Sequence, residues 1–183
     1  MRFKQTPSQT VGPYFAFGLA AQQYHYDSGQ VADGDLAGNQ IRIIGRVIDG
    51  EGKPVNDALV EIWQADAQGL HGEAGFKGFG RQGTGTDPEC RFIFHTVKPG
   101  SVDGKQAPHL TLTIFMRGLL THVFTRLYFD DEAKANEADP VLALVPPERR
   151  HTLIARREES ATGPLYRFDI VMQGHNETVF FDL

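Results

Sequence analysis

The segment His109–Phe115, His-Leu-Thr-Leu-Thr-Ile-Phe, alternates polar and apolar side chains from His109 to Ile114. Only a strand with one face in a core uses such a pattern, so His109, Thr111 and Thr113 share one face and Leu110, Leu112 and Ile114 the other. Residues two apart on a strand project side by side and can close on one ion, so a metal site here calls for His-x-His. The second place holds Thr111, a neutral hydroxyl and a poor ligand for a transition metal. The strand has the layout of a metal site without its second ligand.

Similar β-rich runs recur along the chain. IRIIGRVIDG begins at Ile41, and after the Gly50–Pro54 link, a hairpin or strand-to-strand signal, comes ALVEIWQAD. RFIFHTV, HVFTRLYFDD, LYRFDIVMQG and ETVFFDL follow. About seven short strands with few helices predict an all-β fold, a β-sandwich. Asp130–Ala138 carries helix formers and acids without an apolar stripe, and predicts a short surface helix. PPERRHTLIARREE is a second candidate, entered through Pro146-Pro147. Residues 67–89 form a glycine-rich excursion, long for a loop, of the kind that faces a partner or a site.

At 183 residues the chain suits a single domain. Residues 1–21 form an N-terminal arm, extended because Pro7 and Pro13 keep Thr6 and Gly12 from helical geometry. Tyr14, Phe15 and Phe17 give the arm enough apolar surface to need cover, so it is expected to pack on a partner chain. Residues 22–40 read as loop and 41–183 as the sandwich. The net charge of −5 and the lack of a basic block argue against nucleic acid and anionic membranes as partners. A lone cysteine, Cys90, and a polar start predict a cytoplasmic protein with no disulfide, signal or anchor.

The seven histidines lack ligand spacing. His25, His151 and His175 read as solvated surface, His95 as structural, and His109 alone is held on a strand beside a loop. Trp63 reads as core. Asp130 and Asp131, being adjacent, point to opposite faces and do not share an ion.

The segments VEIWQADAQG, HTVKPG, APHLTL, TRLYFDD and YRFDIVMQG, in that order, resemble the intradiol ring-cleaving dioxygenases, and the likeness runs from the TPSQTVGPYF arm to the C-terminus. The resemblance implies a β-sandwich and, in iron-bearing chains, Fe(III) held by two tyrosines and two histidines, with oxygen inserted between the hydroxyl-bearing carbons of a catechol. Carried onto this sequence, the two tyrosine positions fall on His71 and Val102, the histidine pair on His109 and Thr111, and a nearby arginine on Gln106. The resemblance therefore implies no metal bound by this chain. Its likeness is to non-iron chains that pair with a homologous iron-bearing chain in a higher oligomer, with protocatechuate and O2 as substrates. It also implies that Thr10, Gly12, Pro13 and Tyr14 complete the partner's substrate pocket with Arg117, for which a plain surface ion pair is the alternative. Two other readings stay open: a self-sufficient metalloenzyme remodelled around His71 and His109, and a non-catalytic β-sandwich binding protein.

Overall fold

The structure is a computed structural model that describes residues 4–12, 15–19, 31, 37–72 and 75–182. Nine strands are present among these: β1 (Gln40–Ile48), β2 (Leu59–Gln64), β3 (Phe79–Gly83), β4 (Arg91–Val97), β5 (His109–Phe115), β6 (Val123–Phe129), β7 (Ile154–Ser160), β8 (Gly163–Arg167) and β9 (Ile170–Val171). Two short α-helices, α1 (Phe15–Leu19) and α2 (Ala133–Ala138), accompany them.

The strands form two layers. One is the antiparallel set β3-β2-β5-β6 and the other is β7-β8-β1-β4, in which β1 runs parallel to β8. A two-residue parallel pairing, Tyr128 with Ile154 and Phe129 with Ala155, joins the layers at one side. At the other side the Gln82 side-chain carbonyl accepts the Ile93 N–H at 3.2 Å, bridging β3 and β4. Val60, Ile62, Leu110, Leu112, Ile114 and Leu127 of one layer belong to one core with Ile43, Val47, Phe92 and Phe94 of the other. Each such side chain contributes roughly 1.5–3 kcal/mol by leaving water. This is the all-β sandwich expected from the alternation, and Asp130–Ala138 is the expected surface helical segment, a 3₁₀ turn leading into α2.

Several expectations change. The glycine-rich excursion contains β3, whose glycines hide its pattern, and a 3₁₀ turn at Thr84–Thr86. Gly80 lies under Val31 and Phe94, where a Cβ would sit 2.7 Å and 3.1 Å from their side chains. The segment PPERRHTLIARREE is a 3₁₀ helix only to Leu153 and then becomes β7. The C-terminal ETVFFDL is no strand beyond a bridge between Phe124 and Phe181. The Gly50–Pro54 link is the expected turn, with an antiparallel bridge of Ile48 to Pro54 and the Val55 N–H bonded to the Val47 carbonyl at 2.8 Å, but the chain then crosses to β2 in the other layer. In the arm, residues 4–12 carry no helix or strand, and 15–19 form a helical turn begun by the Phe15 N–H to Gly12 carbonyl bond of 3.2 Å. A proline restricts the residue before it and permits a helix after it, which the extended reading overlooked. Pro13, Tyr14, His25 and most of the 22–40 loop lie outside the described residues.

Gly45 lets the Phe168 peptide and the Phe92 ring of its paired strand β4 close over β1 within one layer. A Cβ there would stand 1.8 Å from the Phe168 carbonyl oxygen and 2.6 Å from the Phe92 ring. Gly45→Ala is expected to destabilise the fold by about 3 kcal/mol through overpacking. Urea denaturation measures this, and an unchanged midpoint would contradict the packing described.

Candidate functional site

The outward face of the β3-β2-β5-β6 layer carries the residues singled out by the sequence. The strand register sets Phe79, Trp63, Thr111 and Arg126 in one row across four strands, with His109 opposite Tyr128 two residues along. Trp63 is 45% exposed, which corrects its assignment to the core: it shares the face of Glu61, and its row is the outer one. Its indole stacks on His71, with centroids 5.6 Å apart and planes 5° from parallel. Gln106 accepts a 2.9 Å hydrogen bond from Arg126 Nη1 and forms a β-bridge with Val102. The row therefore links Thr111 to His71 through Trp63 and to Gln106 through Arg126, with His109 beside it and Val102 bridged to Gln106.

His109 is buried, and its Nδ1 lies 2.8 Å from the Ala107 carbonyl oxygen. A carbonyl only accepts, so Nδ1 carries the proton and Nε2 of the neutral ring is left with its lone pair. Burial pushes the His109 pKa below its usual value; the Ala107 bond opposes this and the Arg126 charge adds to it. Burial likewise raises Tyr128 to about 12, so its hydroxyl stays protonated.

Asp139, absent from the sequence reading, organises this region. Fully buried, it accepts hydrogen bonds from Ala107 N at 2.8 Å, Leu142 N at 2.7 Å, Val141 N at 2.9 Å and the Tyr128 hydroxyl at 3.1 Å. One carboxylate thus fixes the peptide that holds His109 and the loop after α2. An aspartate before proline following a helix is a turn signal that could have drawn notice to it.

A second cluster lies where the arm meets the end of β5. Thr10 Oγ1 accepts the Gly118 N–H at 2.9 Å, which anchors the arm beside Arg117. Arg117 is exposed and pairs with Asp57 of this chain. Among the described residues, its chain neighbours aside, nothing lies within 4 Å of a Cβ built on Gly12. Arm residues Ser8, Gln9 and Val11, with Phe115, Met116 and residues 119–122, line a groove of about 300 Å³.

A family model described as Dioxygenase matches residues 10–174. The protocatechuate 3,4-dioxygenase alpha chain of Burkholderia cepacia is 52% identical, over 98% of both chains. The beta chain of the same name from that organism is 32% identical, over 90% of this chain and 77% of its own. Among solved structures, the dioxygenase domain of a carbohydrate-binding fusion from Streptomyces sp. SirexAA-E superposes with a TM-score of 0.63 at 24% identity, covering 94% of this chain and all of that one. The chain belongs to the intradiol dioxygenase family.

Intradiol dioxygenases depend on iron, and the donors around His109 do not fit a ferric ion. The five positions offer two imidazoles, one stacked on Trp63, with a threonine hydroxyl, an amide and an apolar side chain, while the Glu61 carboxylate on the same face is paired with Arg81 at 2.8 Å. None of the five supplies an anionic oxygen, the donor type a hard cation needs. The nearby carboxylate of Asp139 is already engaged by four hydrogen bonds, and Arg126 brings a positive charge. The same donors count against a self-sufficient metalloenzyme built on His71 and His109. Among the described residues, no three His, Cys, Asp or Glu side chains cluster as a metal site.

Two outcomes follow from this geometry. Asp139→Ala leaves buried N–H groups and the Tyr128 hydroxyl without their acceptor and is expected to cost about 3 kcal/mol or more, read from urea unfolding. The depressed His109 pKa means that the unfolded chain binds a proton the folded one refuses. Its contribution to stability is present above the ordinary value of 6.5 and is lost as pH falls toward the folded value. His109→Gln should weaken the acid destabilisation between pH 7.5 and 5, and an unaltered pH profile would show that His109 titrates normally.

Proposed function

We propose that this chain is the α subunit of a protocatechuate 3,4-dioxygenase, working with a homologous β chain that holds the iron. The enzyme adds both atoms of O2 to protocatechuate and breaks the bond between its hydroxylated carbons, giving 3-carboxy-cis,cis-muconate. The iron supplies the oxygen chemistry, and this chain supplies structure and pocket wall. The observation that carries this division is the donor set on the outer face, where a guanidinium stands among neutral groups on a dioxygenase scaffold.

The arm is the part of this chain that serves the reaction. Thr10, Gly12, Pro13 and Tyr14 are assigned to the β chain's pocket, where Gly12 would allow close backbone approach to a flat ring and the Thr10 hydroxyl would meet a substrate oxygen. The Thr10 to Gly118 bond supports this role by tying the arm to Arg117. Arg117 favours the substrate carboxylate electrostatically, sharing its charge with Asp57. The arm, residues 1–21, packs on the β chain, and the exposed Leu70 and Phe79 suit further contact with a partner. A cytoplasmic setting fits the single cysteine, and no described helix is long and apolar enough to cross a membrane.

The test is ring cleavage with separately expressed chains. This chain alone is expected to be inactive, and addition of the β chain to give full activity. Arg117→Gln in the assembled enzyme should raise KM for protocatechuate about tenfold, the scale of a lost charged hydrogen bond, with iron content unaltered. Ring cleavage by this chain alone would overturn the assignment.

A further inference from the structure

Arg126 is half-buried, and its Nη1 donates to two neutral acceptors, Gln106 Oε1 at 2.9 Å and the Tyr128 hydroxyl at 3.3 Å. Among the described residues no carboxylate lies within ion-pair distance of its guanidinium. Asp139 is reached only through Tyr128, and both of its oxygens are occupied. A partly desolvated cation with only neutral partners gains strongly from an anion that reaches its remaining N–H groups.

The surroundings specify which anion. Trp63 stands two strands away in the same row, with Thr111 between them. Two strand spacings span about 9.5 Å, enough for a benzene ring beside the indole with a carboxylate reaching the guanidinium. His109, neutral and protonated on Nδ1, offers Nε2 as an acceptor for a ring hydroxyl. We propose that this face of the chain is a second, non-catalytic binding site for a small hydroxylated aromatic carboxylate, with Arg126 as its anchor and the Trp63–His71 pair as its stacking wall. The site rests on the proposed function only for the choice of ligand, since hydroxybenzoates are the compounds such an enzyme meets.

The test is equilibrium dialysis of the assembled α–β enzyme against 4-hydroxybenzoate, which lacks the neighbouring hydroxyl needed for cleavage. Two molecules per α–β pair are expected, one at the iron-bearing chain and one here. Arg126→Gln should weaken the second about tenfold or more while leaving the first. In the unaltered protein, 4-hydroxybenzamide, of the same shape without the charge, should leave the second site unfilled. One molecule per pair, a second molecule indifferent to Arg126→Gln, or equal filling by the amide would each overturn the proposal. So would a single site together with weakened assembly in Arg126→Gln, which would mean that a partner carboxylate occupies the guanidinium. Iron per pair, measured on the same samples, tests the division of labour separately.

Discussion

Leu110, Leu112 and Ile114 lie fully buried between the two layers, and because strand side chains alternate, their burial obliges His109, Thr111 and Thr113 to face outward. A slip of one residue would bring three polar groups into the core and three aliphatic ones out of it. The register of β5 against β2 and β6 is therefore fixed, and with it the row that aligns Trp63, Thr111 and Arg126. Everything on the candidate face follows from that row. Asp139 then locks the adjoining loop through Ala107, so the peptide that orients His109 is held from below by a carboxylate 32 residues away in sequence.

On a dioxygenase scaffold the outer face carries a guanidinium bonded to an amide and a phenol, and the one buried carboxylate nearby serves structure. The Arg126 charge and the neutrality of His109 reinforce each other, since burial and the nearby cation both disfavour an imidazolium. The arm, anchored through Thr10 to Gly118, is a separate device at the far end of β5.

Much of the fold was legible where burial on one face leaves an alternating trace, as in β5 and in the inward Ile41, Ile43 and Val47 of β1. β3 left none, because its glycines carry no side chain to alternate and its role is to let Val31 and Phe94 pack close. β7 was masked by prolines and charges that read as helix, its first residues being secured by pairing with β6. Trp63 was misplaced by residue type, although its alternation with Val60 and Ile62 already pointed outward. The candidate positions at His71, Val102, Gln106, His109 and Thr111 came through resemblance. Arg126 and Asp139 did not, because their partners are distant in sequence and only the folded register brings them together.

The central claim is that the iron chemistry and this scaffold belong to different chains. Anomalous diffraction at the iron edge from crystals of the assembled enzyme tests it most directly. The account predicts one iron per α–β pair, every protein ligand contributed by the β chain, with Thr10–Gly12 of this chain approaching that centre. Iron coordinated by His109 or His71 of this chain would contradict it.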